Sequence, residues 1–163
     1  MAVIELKIVE VDPQGEGALS LLREAAFEAR ALYPELFDSN ATWPTNGPTP
    51  AGGFYLVGYL EHKPVASGAV RPLQGNVAEV RRMFVTRSAR KQGIARKILN
   101  ELESRAQRSG YDTLRIETGY KQEPAIRLYE SHGYLRIRPF GEYSDDPTSV
   151  CFEKTLGRRN DDA

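Results

Sequence analysis

The sequence predicts a single mixed domain of the α/β (α+β) class, a sheet with helices packed on it. Three observations carry that prediction. Residues 3–10 set Ile4, Leu6 and Ile8 against Glu5 and Lys7, the period-two alternation of a half-buried strand. Residues 93–109 place Ile94, Ile98, Leu102 and Ala106 four apart, with Leu99 widening the stripe, as an amphipathic helix does. A chain of 163 residues, 40% hydrophobic and 27% charged, is long enough for one full core and too ordinary in composition for a disordered or coiled-coil protein.

Each element follows from local signals. Asp12-Pro13 ends the first strand, and Leu19, Leu22, Ala26 and Ala29 mark a helix over 16–32. Tyr33-Pro34 closes it, because proline disfavours the α conformation in the residue before it. Residues 34–52 hold four prolines (Pro34, Pro44, Pro48, Pro50) and no clear period; a loop this long in a compact domain is commonly functional, so it is a candidate substrate-side loop. Residues 53–60 and 65–71 read as a hairpin joined by Glu61-His62-Lys63-Pro64. A turn over 72–76 leads to a strand at 77–86, the helix at 93–109 with Gly110 just beyond its end, and a strand at 111–118. A short helix at 123–132 closed by Gly133, strands at 134–138 and 149–155, and a polar tail at 157–163 complete the order, giving a domain over 1–156.

Composition excludes some functions. Twenty-two basic and 22 acidic residues cancel, so no global field points to nucleic acid or an anionic membrane. No stretch approaches the ~20 apolar residues of a membrane span, and the charged N-terminus does not read as a signal peptide. A lone cysteine, Cys151, rules out an internal disulfide and a cysteine-based zinc site, and it suits a reducing cytoplasm.

Against that neutral background, residues 80–100 carry Arg81, Arg82, Arg87, Arg90, Lys91, Arg96 and Lys97 and no acid. The run spans a strand end, a polar turn and a helix start opened by Gly93. Unpaired N–H groups at a helix N-terminus favour phosphate, and glycine lets a ligand approach the backbone closely. An anion site is therefore expected here.

Arg90-Lys91-Gln92-Gly93-Ile94-Ala95 resembles the Arg/Gln-x-x-Gly-x-Gly/Ala signature of the GNAT superfamily of acyl-CoA-dependent N-acyltransferases. A second segment, from Ala125 through Leu128, Tyr129 and Glu130 to Gly133 and Tyr134, is similar to another stretch of that family in the right order. The resemblance covers about residues 77–138. It implies a largely antiparallel central sheet flanked by helices, acetyl-CoA as cosubstrate, and direct transfer without metal to a small-molecule or peptide amine. It further implies that the backbone of Met83, Phe84 and Val85 meets the pantetheine arm. The turn of Arg90, Lys91, Gln92, Gly93, Ile94, Ala95 and Arg96 would wrap the pyrophosphate, and Gln122 stands where the family usually has asparagine. Tyr129 aligns with a tyrosine beside the thioester sulfur, a candidate acid. Glu79 lies 14 residues before Gly93, the spacing of the catalytic glutamate in the histone-acetylating branch, and is the candidate base. Strand parity would put it on one face with Arg81, Met83 and Val85.

Weaker candidates are Glu117 as a base, His132 as a helix-end cap and His62 in a hairpin turn. Cys151 reads as a packed thiol, and Glu142, Asp145 and Asp146 form an acidic turn. A non-catalytic acyl-CoA-binding domain is the competing reading, and a homodimer is compatible with either. The acceptor is not specified by any motif.

Overall fold

The computed structural model describes residues 5–38 and 40–157. Residues 3 and 4 of the expected first strand and 158–163 of the expected tail lie outside the described residues. Seven strands form one sheet: β1 (Lys7–Glu10), β2 (Phe54–Leu60), β3 (Lys63–Gln74), β4 (Val77–Val85), β5 (Thr113–Gly119), β6 (Leu135–Ile137) and β7 (Ser149–Thr155). Their order across the sheet is β1-β2-β3-β4-β5-β7-β6. Only β4 and β5 run parallel, and every other neighbouring pair is antiparallel. Three helices, α1 (Glu16–Leu32), α2 (Ile94–Arg108) and α3 (Glu123–Ser131), cover the faces.

The two faces have separate cores. The predicted stripe of α2 (Ile94, Ile98, Leu99, Leu102, Ala106) is buried against Leu56, Val70, Ala78, Val80, Leu114 and Ile116. Tyr129 of α3 joins that cluster. On the other face Ala18 and Leu21 of α1 pack with Tyr55, Val57 and Ala69. Burying such aliphatic side chains stabilises by about 1.5–3 kcal/mol each, which is why both stripes show in the sequence as periodicity.

Tertiary pairing moves several expected boundaries. Pairing with strands on both sides lets β3 run through Pro64 and Pro72, beyond the expected 65–71. The β2–β3 connection shrinks to Glu61 and His62, both with positive φ (47° and 69°). That geometry matches the right-handed twist of a hairpin, so two residues suffice where four were expected.

Candidate active site

Parallel strands β4 and β5 part company halfway along. Their register runs from Val77 opposite Thr113 to Val80 opposite Ile116 and then stops. Beyond it β5 continues on β7 as far as Gly119, while β4 continues on β3 until Val85 faces Ala66. Among the described residues Arg81–Val85 therefore pairs with no strand on the β5 side. The Thr86 N–H donates to the Val65 carbonyl, so the facing pair Val85 and Ala66 is of the kind that does not exchange hydrogen bonds. The backbone N–H and C=O of Val85 accordingly point to the open edge.

A bulge accompanies the opening. Three steps on β4, from Arg81 to Phe84, oppose two on β3, from Ala69 to Ser67, and Arg82 takes φ 60°. The Ser67 hydroxyl donates to the displaced Arg82 carbonyl at 2.7 Å. An extra residue reverses the alternation of side chains. Glu79 and Arg81 face the α1 side, opposite Arg71 and Ala69, whereas Met83 and Val85 pack with the α2 core. The expected common face for Glu79, Arg81, Met83 and Val85 is thus overturned. Gly68, opposite the bulge, makes room: a Cβ there would lie 2.7 Å from Leu102 and 3.1 Å from the Met83 sulfur.

Past the strand end a short 3-10 turn (Arg87–Ala89) leads to Lys91 and Gly93, both left-handed (φ 65° and 76°), and then to α2. Left-handed residues at a helix start converge backbone N–H groups into an anion-accepting concavity. Nothing lies within 4 Å of where a Gly93 Cβ would be, so the space before the turn is open. A cavity of about 930 Å³ extends from there between α1, the end of β4 and the N-termini of α2 and α3. Of the residues expected at a cofactor site, Met83, Phe84, Val85, Arg90, Lys91, Gly93, Ile94, Ala95, Arg96 and Gln122 line this cavity, and Gln92 does not.

The basic side chains are less free than expected. Arg90 bonds both carboxylate oxygens of Glu28 (2.9 and 2.7 Å), donates to the Val85 carbonyl at 2.9 Å and lies over the Phe84 ring. Arg96 donates to the Ser131 hydroxyl at 2.6 Å. Lys91 lines the cavity and forms no ion pair among the described residues. Backbone, helix end, Lys91 and the exposed Arg87, which is 4.0 Å from Glu28, are thus the groups left to face an anion.

Tyr129 is 4% exposed, with its ring against Tyr134 and Phe152, and it lines the same cavity. Its hydroxyl makes no hydrogen bond among the described residues. Burial, with the charge of Glu117 added, pushes the phenol above its ordinary range. Glu79 is 1% exposed and does not line this cavity. One of its oxygens accepts from Arg71 Nε at 2.7 Å and the other from the Tyr143 hydroxyl at 2.6 Å. The structure does not bring Glu79 and Tyr129 into one cavity. Glu117 accepts from the Ser149 hydroxyl at 2.6 Å, forms no salt bridge among the described residues, and is raised above the usual carboxylate range chiefly by burial.

The remaining candidates are structural. His132 caps α3, its pKa lowered by burial, and its carbonyl accepts from Lys154. Glu142 pairs with Arg71, and Asp146 binds Thr148. Cys151 is a buried thiol on β7. Among the described residues no cluster of three or more His, Cys, Asp and Glu could hold a metal, and no helix is long and apolar enough to cross a membrane.

A second cavity, of about 350 Å³, adjoins the first and shares Ala25, Ala29, Met83 and Phe84 with it. The long loop contributes Phe37, Thr42 and Pro44 to its wall. Arg30 fastens that loop, donating to the Ala41 and Thr42 carbonyls and lying 3.5 Å from the Trp43 ring centre, while Trp43 stacks on Phe27. Tyr55 and Arg82 also line this cavity. No sequence motif joins them as a pair. The one local signal is the Arg81-Arg82 doublet inside a strand, which reads as part of the basic run.

A sheet opened between its two parallel strands, with a left-handed turn and a helix start facing the gap, is the architecture of acyl-CoA-dependent acyltransferases. The chain belongs to the acetyltransferase (GNAT) family, which matches residues 18–134. It is 38% identical over 103 residues to a protein of Azospirillum brasilense named IAA acetyltransferase, a stretch covering 63% of this chain and 67% of that relative. A second relative, an N-acetyltransferase of Bacillus subtilis, is 36% identical over 55% of this chain and 60% of its own length. The chain thus spans about three fifths to two thirds of the curated relatives it matches. A solved acyl-CoA N-acyltransferase structure from Klebsiella pneumoniae superposes with a TM-score of 0.76 and 29% identity, over 93% of this chain and 98% of its own. A GNAT family acetyltransferase from Elizabethkingia anophelis, solved with acetyl-CoA bound, shares the fold (TM-score 0.66, 15% identity, 93% and 98% coverage). The protein is accordingly an acyltransferase enzyme of the GNAT fold.

Proposed function

We propose that this enzyme moves an acetyl group from acetyl-CoA directly to a primary amine. The observation that carries the reading is the larger cavity, which joins the open β4 edge, the Lys91–Gly93 turn and Tyr129 in one continuous cleft. Its size suits a bound organic cosubstrate. The turn and Lys91 would hold the phosphates, and the open edge of β4 would pair with the amide-bearing arm. When bound, the thioester supplies the activated acetyl group. The amide N–C bond forms as the C–S bond breaks, the amine gives up a proton, and sulfur leaves as the thiol.

The chain's own groups supply three aids. The Val85 N–H at the open edge would stabilise developing negative charge on the acetyl oxygen. Tyr129, kept protonated by burial, offers a donor to the departing sulfur. Transfer of its proton to a weaker base is uphill, so the contribution is mainly a hydrogen bond. For amine deprotonation Glu79 is the proposed base, acting through water, since it lines neither cavity and both of its oxygens hold donors. Glu117, whose charge reaches Tyr129, is favoured as a second reading by its raised pKa and by the absence of a salt bridge to it among the described residues. Thiol release from acetyl-CoA, followed across a panel of primary amines, tests the assignment. Amine-dependent release supports it, and binding of acetyl-CoA without turnover of any amine refutes transfer to an amine.

A further inference from the structure

A guanidinium held inside a protein without an acid is costly, because burial disfavours a charge whose counter-ion is missing. Arg82 is in that position. It sits at the β4 bulge with φ 60°, is half-buried, and forms no ion pair among the described residues. Its Nε donates to Asn46 Oδ1 at 3.0 Å, and Asn46, itself 6% exposed, is anchored by donating to the Pro13 carbonyl at 2.8 Å. The side chain is therefore oriented by a neutral acceptor. Burial is the main cause of a lowered guanidinium pKa, with Arg81 adding repulsion.

A second group faces the same space. The Tyr55 hydroxyl is buried (the residue is 5% exposed) beside the Asn46 side chain and Arg82, and it has no partner at hydrogen-bonding geometry among the described residues. Buried hydroxyls are normally paired, so an unpaired one beside a cavity points to a ligand. Both residues line the smaller cavity, whose wall contains no aspartate or glutamate. Its other arginine, Arg30, is committed to loop carbonyls and Trp43. The rest of the wall is mainly apolar, with Leu21, Leu22 and Ala26 of α1 and Phe37 and Pro44 of the loop.

We propose that the smaller cavity binds the acceptor through a carboxylate held by Arg82 and Tyr55, so that the acceptor is a small amine bearing a carboxylate and an apolar side chain, as an amino acid does. This rests on the reading that the larger cavity takes acetyl-CoA. Met83, next to Arg82 in the chain, and Phe84 are common to both cavities. An amine one carbon from a carboxylate held by Arg82 would therefore lie toward that junction. The apolar side chain lies against α1. A planar guanidinium matches a carboxylate with two parallel hydrogen bonds, and the tyrosine hydroxyl donates a third.

Binding and turnover can be read separately. Calorimetry with CoA present compares N-acetyl-L-phenylalanine with N-phenethylacetamide, which lacks only the carboxylate. The acid is expected to bind at least tenfold more tightly, and Arg82→Met to abolish that preference while leaving CoA affinity unchanged. Because Arg82 occupies a strained conformation, Tyr55→Phe serves as the second variant; it deletes only the unpaired hydroxyl and should weaken the acid several-fold without affecting the amide. In turnover, L-phenylalanine should exceed phenethylamine by at least tenfold in kcat/KM. Equal binding of the two products, or binding of neither, overturns the carboxylate assignment even where CoA binds. Preference for O-phosphoethanolamine over L-phenylalanine would reassign the anion and also overturn it. Failure of CoA itself to bind would instead refute the reading of the larger cavity.

Discussion

Replacing Gly93 separates backbone strain from ligand binding at the turn that opens α2. Gly93 sits at φ 76° and ψ 11°, and a Cβ there meets no atom within 4 Å. Gly93→Ala therefore costs no clash, only the left-handed strain of about 1–2 kcal/mol, partly offset by a less flexible unfolded chain. A net loss near 1 kcal/mol lowers the Tm of a domain this size by about 2–4 °C. In Gly93→Glu the same strain is eased, since an acid at a helix N-terminus is favourable by about 0.3–1 kcal/mol. Without ligand the two variants should melt within a few degrees of each other. With CoA they should diverge. At a hundredfold excess over Kd, a ligand that binds only the folded state stabilises it by about 2.7 kcal/mol, or about 5–10 °C here. Wild type should show that shift, Gly93→Ala a smaller one, and Gly93→Glu none, because its carboxylate would face the phosphates across the open space. Scanning fluorimetry with and without CoA reads all three. A full shift in Gly93→Glu would place the phosphates elsewhere, and no shift in wild type at millimolar CoA would refute the cleft assignment.

Tyr129→Phe should lower kcat roughly 10–100-fold, at or below the low end for a general acid, because the hydroxyl gives sulfur mainly a hydrogen bond and a thiolate is already a fair leaving group. Its acetyl-CoA affinity should be retained and its stability little changed, since the hydroxyl makes no internal hydrogen bond; equal single-turnover rates would make the residue a packing tyrosine. Glu79→Gln should raise the pH at which transfer becomes fast and, by weakening two bonds to a buried carboxylate, reduce stability by about 1–3 kcal/mol. A pH–rate profile that overlays wild type would leave Glu79 only the clamp on Arg71 and Tyr143. Glu117 has a folded pKa above its unfolded value, so its favourable contribution is present at low pH and lost as pH rises through the raised value. Glu117→Gln should therefore gain stability relative to wild type as pH rises above the ordinary carboxylate range of about 4, read by urea unfolding; a relative loss on that rise would contradict the burial of this carboxyl.

Features decided by neighbours in the chain are legible in the order of the residues. The α2 stripe, the proline stop after α1 and the turn at Gly93 depend on side-chain period, fixed φ and a missing Cβ, all local properties. The signature around Arg90–Arg96 is readable for the same reason: its chemistry lies in backbone N–H groups that a short segment positions by itself. What escapes such reading depends on distant partners. Strand parity puts Glu79 with Met83, but a bulge at Arg82, accommodated by Ser67 and Gly68 of the adjoining strand, reverses the face. The basic run implies free phosphate ligands, yet Glu28 of α1 takes Arg90. Tyr55 and Arg82 are far apart in the chain and meet only because β2, β3 and β4 pair in one register and α1 and the long loop close over them. The sequence by itself determined the family, the elements and the anion-facing turn, because those rest on short-range geometry. Tertiary structure alone decided which charges are already matched and which buried groups are left without a partner, because burial and pairing are properties of the assembled sheet and not of any segment of it.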